Sequence, residues 1–247
     1  MKNKIILIIA ILIISCSSNE NKMIVLGNVD GLKKGTLYLQ AEKDSLVVNL
    51  DSVYLRGGGN YKLSTNIKEP DIYYLYLDKE DGDSLNDIIA FFGNKGEIEI
   101  NTRLSTFDSS YQIKGSKNSD LLQEYNSIMR QYNSQNLDLL EIFYNAQIEN
   151  NQKKIDSVNS ELENLIRKKY LYTLNFSITK SENEISPYIA VTQIPDANIE
   201  LLRKLYDTLP VRIKDSKYGK ILRNITIDSP LYSTKFLGVS YSVILSS

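Results

Sequence analysis

Two hydrophobic periods divide this chain. From Met23 to about Gly115, apolar residues recur at every second position in short runs broken by glycine, aspartate and asparagine. That is the pattern of strands joined by turns. "TLYLQA" sets Leu37, Leu39 and Ala41 on one face, and "EIEIN" points Ile98 and Ile100 inward. "IYYLYL" and "IIAFF" are apolar on both faces and read as central strands, while "DGLKKG" and "RGGGN" supply turns. In "SLVVNLDSVYL", Leu46, Val48 and Leu50 share even parity whereas Val53 and Leu55 are odd. A strand changes its buried face only when its register slips, so a bulge or kink is predicted near Asp51–Ser52. Seven or eight such strands predict an antiparallel β-sandwich or open barrel.

From Asn118 the spacing lengthens to three and four. Leu121, Tyr125, Ile128 and Tyr132 mark one helix. Ile155, Val158, Leu162, Leu165, Tyr172 and Phe176 mark a second, interrupted by Lys169, and "IENNQKK" forms the tip of the resulting hairpin. "SPYIAV" predicts a third helix with Ser186 as N-cap and Pro187 in the first turn. Asp196 is the predicted cap of "ANIELLRKLYDTL", which Pro210 ends, and "SKYGKILRNI" is a last helix. Strands first and helices afterwards predict the α+β class, with a β domain over 23–116 and a helical domain over 117–227.

The amino terminus follows neither period. Lys2 and Lys4 precede ten consecutive apolar residues, Ile5 to Ile14. That run is too short to span a bilayer, which takes roughly 20 residues, and it fits a signal peptide over 1–15 cut after Ser15. Cys16, the sole cysteine, stands at the cut, and "IISC" resembles the bacterial lipobox. On that resemblance Cys16 is acylated and becomes the new N-terminus, and residues 16–22 form a polar tether. No aspartate follows Cys16, which in such lipoproteins implies outer-membrane sorting and a periplasm-facing chain. Several acyl chains together hold a protein stably on a membrane where one holds it marginally.

Composition narrows the chemistry. Formal charge is −1, and loss of the leader's lysines makes the remainder more acidic, so no basic face invites a nucleic acid. The chain has no histidine, which removes Ser-His-Asp catalysis and imidazole metal sites. With Cys16 committed to lipid, no thiol is left for redox chemistry or a thiolate metal site. The expectation is a non-catalytic binding or accessory module without cofactor or metal. The alternative is an enzyme using carboxylates or Ser-Lys chemistry, which a deep pocket of convergent charges would favour over a flat tyrosine-rich surface.

The stretches "VLGNVDGLKKGTLYLQ", "LDSVYLRGGGNYKLS", "IAFFGNKGEIEI" and "YQIKGSKNSDLLQEY" resemble the domain-of-unknown-function family 4369 over roughly residues 23–125. The resemblance implies a β domain of secreted Gram-negative lipoproteins, commonly followed by a helical segment and a thioredoxin-like oxidoreductase domain. Residues 228–247 look similar to the start of such a domain, but no Cys-x-x-Cys follows. The redox function is therefore not carried over, and a thioredoxin-like protein is expected only as a partner.

Three further signals are legible. The acidic loop from Asp78 to Asp87 lacks the glycine and glutamate spacing of an EF-hand and reads as a solvated hairpin loop. The 17 tyrosines read first as half-buried core residues, and secondarily as a stacking platform for a glycan or peptide. Asp-Ser/Thr-aliphatic triplets, which resemble a periplasmic O-glycosylation signal, occur at Ser45, Ser52, Ser84, Ser157 and Thr208. Ser84 and Ser52 are the leading candidates. At Ser52 the competing role is bulge chemistry, with Asp51 or Ser52 bonding nearby backbone.

Overall fold

The protein is described by a computed structural model covering residues 21–80 and 87–226. Cys16, the leader, Ser84 with most of the acidic loop, and the 228–247 segment lie outside the described residues. Eight strands come first: β1 (Lys22–Asp30), β2 (Lys34–Lys43), β3 (Leu46–Arg56), β4 (Asn60–Asn66), β5 (Asp71–Asp78), β6 (Ile88–Gly93), β7 (Gly96–Arg103) and β8 (Gln112–Lys114). Among the described residues six α-helices follow: α1 (Lys117–Ile148), α2 (Gln152–Thr179), α3 (Ile185–Gln193), α4 (Ile199–Thr208), α5 (Val211–Lys214) and α6 (Lys217–Thr226). The chain is α+β by segregation.

The strands form two four-stranded sheets, ordered β4-β1-β7-β8 and β3-β2-β5-β6. Val25, Leu63, Ile98 and Ile100 of the first face Leu37, Leu39, Leu75, Leu77, Ile89 and Phe91 of the second in one buried cluster. The expected alternation of β2 and β7 is thus the alternation between core and outside. One pairing departs from the antiparallel expectation: β1 runs parallel to β7. "IIAFF" also differs from expectation, since β6 is an edge strand rather than a central one. Its apolar outer face serves the helices instead.

The bulge falls beside the predicted dipeptide. Leu39 pairs with Asp51 and Gln40 with Asn49, leaving Leu50 as the extra residue of β3. Asp51 holds this kink: one carboxylate oxygen accepts the Ser52 N–H at 2.9 Å, and the other accepts the Ser64 N–H of β4 at 2.7 Å. The bulged strand of one sheet is so tied to the edge strand of the other, and Gly59, where the β3–β4 turn returns, lies close against β1. A Cβ on Gly59 would stand 1.9 Å from the Val29 carbonyl oxygen. Leu46 and Leu50 correct the parity reading. They are 69% and 38% exposed, because the bulged, outermost end of β3 has no opposing sheet to cover it.

Helix α1 begins on the free edge of β6. The Ser119 hydroxyl accepts the Phe92 N–H at 2.9 Å, and Ser116 donates to the Phe92 carbonyl at 2.8 Å while capping α1. Unpaired backbone at a sheet edge is thereby satisfied within the chain. Ile72 and Phe92, which leave the second sheet on its outer side, pack with Leu121, Leu122, Tyr125, Phe176, Ile189 and Tyr218. Polar links close the same junction. Asp71 accepts from Lys217 Nζ and from the Tyr218 hydroxyl, each at 2.6 Å, and Glu69 accepts the Lys217 N–H at 2.8 Å.

Two predicted caps move. Helix α3 starts at Ile185 after Glu184, and Ser186 lies inside it, its hydroxyl donating to the Ser177 carbonyl at 2.7 Å. A buried carbonyl acceptor outcompetes the capping role. Helix α4 is capped by Asn198, which accepts the Glu200 N–H at 2.8 Å, not by exposed Asp196. Lys169, which breaks the apolar stripe of α2, reaches across the hairpin to Asn133 Oδ1 at 3.0 Å.

Candidate functional site

The helices cover only part of the outer face of the second sheet. Along β5 the outward residues are Ile72, Tyr74 and Tyr76; the first is buried, and Tyr74 is half-buried against the helices. Across the sheet from Tyr76 one row reads Ser52, Tyr38, Tyr76, Ile88 on β3, β2, β5 and β6. The Tyr38 and Tyr76 rings stack, with centroids 5.9 Å apart and planes 24° from parallel. The row on one side holds Tyr54 opposite Thr36, and the row on the other holds Asn49, Gln40 and Tyr74. Gln40 donates to Asn49 Oδ1 at 2.8 Å. Tyr54 is 51% and Ile88 40% exposed.

Local sequence explains this face. Alternation buries Leu37 and Leu39 and so directs Tyr38 and Gln40 outward, and it treats Tyr74 and Tyr76 alike around Leu75. Cross-strand aromatic pairs stabilise a sheet by roughly 0.2–1 kcal/mol. That gain is available without ligand, so the stacked pair is a preformed surface. Ser52, paired with Tyr38 across β2 and β3, is a small, exposed member of this row.

The chemistry on offer is recognition. Burial holds the Tyr74 hydroxyl above its ordinary pKa, helped by the carboxylates of Glu42 and Asp71. It remains a neutral hydrogen-bonding group. Tyr188 and Tyr218, under the junction, are raised further by burial and by Asp71. Asp71 is spent on Lys217 and the Tyr218 hydroxyl. The other dense polar cluster is likewise self-satisfied: Glu184 accepts from Asn118 at 2.9 Å and pairs with Arg212. An open groove of about 380 Å³ along the hairpin is lined by Gln135, Asp138, Leu139, Glu161, Asn164, Leu165 and Lys168, with no nucleophile beside a base. Among the described residues no three His, Cys, Asp or Glu side chains converge as a metal site would need. No described helix is long and apolar enough to cross a membrane.

Of the residues singled out in the sequence, Ser52 lies on this tyrosine face, whereas Ser45 sits at the β2–β3 turn with φ +64°. Ser157 and Thr208 are exposed on α2 and α4. Tyr38, Tyr54, Tyr74 and Tyr76 were not separable from the other tyrosines by sequence alone. The signal that marks two of them is the polar phase of "TLYLQA", where Tyr38 and Gln40 interleave with core leucines.

The geometry defines a two-sheet sandwich braced by a helical layer, whose candidate site is a sheet face and not a cleft. Residues 23–122 match the family model DUF4369, a domain of unknown function, so the sandwich together with the first turn of α1 belongs to that domain family. The match extends to Leu122 and thus includes Ser116 and Ser119, the residues that seal β6. No curated protein and no solved structure matches this chain.

Proposed function

We propose that this protein is an accessory binding module of the bacterial cell envelope, held at the outer membrane by lipid on Cys16 and facing the periplasm. Its recognition surface is the tyrosine face of the second sheet. The observation that carries the reading is the stacked Tyr38–Tyr76 pair, bordered by the Gln40–Asn49 amide pair and by exposed Tyr54. Aromatic faces with adjacent amide donors and acceptors suit a glycan strand or an extended peptide, whose apolar faces stack while hydroxyls or amides bond at the rim. Lys2, Lys4, the apolar run and "IISC" support the anchor. The resemblance to domains that precede thioredoxin-like enzymes supports a thioredoxin-like protein as one class of partner.

Binding to panels of soluble oligosaccharides and unstructured peptides tests the surface. Replacing Tyr38→Ala and Tyr76→Ala together should weaken the bound probe at least about tenfold, the scale of two lost stacking contacts, with the thermal midpoint held within a few degrees. Unchanged affinity in that variant would sink the assignment of the face. Cys16→Ala should abolish acyl labelling in the native host, and equal labelling would remove the anchor. Exposed Ser52 lies in register with Tyr38, so a sugar carried there would rest against the ring. An intact mass above that of the acylated chain, lost in Ser52→Ala but not in Ser84→Ala, would place modification at Ser52.

A further inference from the structure

The chain enters the sandwich at one of its ends. The Ile67 N–H bonds the Asn21 carbonyl at 2.7 Å, and Lys22 stands opposite Asn66 while Met23 stands opposite Gly96. Gly96 follows Gly93 through a two-residue turn, and Gly93 pairs with Asp71 in the second sheet. A Cβ on Gly93 would meet both the Met23 sulfur and the Tyr73 ring, so the two sheets end together here. Tyr73, opposite Ala41, is the last β5 partner of β2. Beyond that pair the β2–β3 hairpin continues as an arm paired across itself, Glu42 with Val47 and Lys43 with Leu46. Its turn residues, Asp44 and Ser45, hold φ +51° and +64°, as a tight two-residue hairpin turn requires. Leu46 is 69% and Val47 61% exposed, and as consecutive strand residues they leave opposite faces of the arm.

We infer that this arm is a second membrane contact, with Leu46 and Val47 seated among the headgroups and upper acyl chains of the bilayer that holds Cys16. The inference rests on the lipid anchor at Cys16. Tether length selects the occupant. Five residues from Cys16 to Asn21 reach at most about 18 Å, whereas β1 carries the chain about 26 Å from Lys22 to Asp30. The sandwich therefore cannot stand on its Asp30 end while the lipid stays inserted. It can rest on the end that carries the arm. That end holds Leu46 and Val47, the two most exposed aliphatic side chains of the described strands. An edge strand left to water is blunted by charge or proline, and Leu46 to Leu50 contains neither.

Charge does not drive the contact. On the arm and the chain beside it Lys22, Lys43 and Lys68 stand with Glu42, Asp44 and Glu69, and the β6–β7 turn adds Lys95 and Glu97. Anionic headgroups gain little from such a balance. The attraction is burial of two aliphatic side chains carried on a tight turn. That patch is too small to hold a membrane alone. The acyl anchor makes its encounter with the bilayer intramolecular and so raises its effective concentration. Tyr38 and Tyr76 stand three residues along β2 and β5 from the Ala41–Tyr73 pair, so about 10 Å of sheet separates the tyrosine face from this end.

The lipidated full chain in vesicles of phosphatidylethanolamine and phosphatidylglycerol, with a nitroxide on the lipid acyl chains, provides the test. Cys16 is the sole cysteine and its sulfur is held by lipid, so an introduced cysteine alone takes a fluorescent label. A label at Lys43→Cys should be quenched about twofold or more, as at the depth of an interfacial segment. The control is Gly58→Cys in the β3–β4 turn at the opposite end, where a Cβ meets nothing within 4 Å, and its label should keep its emission. Leu46→Ser with Val47→Ser should abolish quenching at Lys43→Cys at unchanged circular dichroism, because both side chains are already exposed. Quenching should persist at about 0.5 M salt, where attraction between charges is screened. Equal quenching at both positions, quenching that survives the double serine variant, or quenching lost in salt would overturn the proposal. So would a sugar on Ser45, which could not enter the bilayer. Acyl labelling of the same sample separates the two readings. Acylated but unquenched protein overturns the insertion and leaves the anchor standing, whereas protein without acyl label overturns the anchor and the insertion with it.

Discussion

The sandwich and the hairpin are stabilised in different ways. In the sandwich, two faces enclose side chains with no exposure at all, among them Val25, Leu39, Ile98 and Phe91. Those residues come from strands far apart in sequence. In the distal half of the hairpin, contacts are local, and buried side chains are sparse: Ala146, Val158 and Leu165. Two helices alone expose most of their surface, whereas two sheets hide one face each. The lesson is that one chain combines a region held by non-local burial with one held by helix propensity, capping and a sparse seam.

The largest test of that contrast is Phe91→Ala. Phe91 is fully buried between the sheets, and loss of such a ring costs about 3–5 kcal/mol. Urea denaturation should show the midpoint falling for strand and helix signals together, since the helices rest on β6. Separate transitions would mean that the hairpin folds without the sandwich.

The next test compares two tyrosines, one in each region. Burial pushes Tyr73 of the sandwich and Tyr125 of the hairpin base up to about 12 from an ordinary 10. A tyrosine raised in the folded state retains its proton there while the unfolded chain loses it. Stability is therefore full below pH 10 and declines as pH rises from 10 toward 12, by about 2 kcal/mol for each residue over the window. Denaturation midpoints from pH 9 to 12 should fall accordingly, and absorbance at the phenolate band should lag behind that of free tyrosine. A Tyr125 that ionises near 10 while Tyr73 does not would place early opening at the hairpin base.

The smallest effect is expected at the hairpin tip. Asn150 adopts φ +52°, and the Asn151 N–H bonds the Ala146 carbonyl at 2.9 Å in a Schellman-type ending. Asn150→Gly relieves the left-handed backbone and should stabilise by less than about 1 kcal/mol. Hydrogen exchange near residues 144–156 should slow slightly, with β2 and β5 unchanged. Faster exchange at the tip would show that the extra freedom of glycine in the unfolded chain outweighs the relief.

Sequence by itself determined the period of each element, the boundary between strands and helices near residue 116, the kink at Asp51 and the tip of the hairpin. These depend on neighbours within a few positions, where side-chain spacing and turn chemistry act directly. Its errors are of one kind. Ser186 and Asp196 are reasonable caps locally, yet Ser186 bonds Ser177 and the α4 cap passes to Asn198. Leu46 and Leu50 have the right period and still lie outside.

Tertiary structure alone decided the parallel β1–β7 pair, the edge position of β6 under Ser116 and Ser119, and which outward tyrosines the helices reach. The reason is physical. Alternation states that Tyr38, Tyr74 and Tyr76 leave the core, but it carries no information on what packs over them. Helices α3 and α6 reach Tyr74, while Tyr38 and Tyr76, both half-buried, stack on each other farther along the same face. Sheet order and layer packing are long-range choices set by the summed burial of the whole chain.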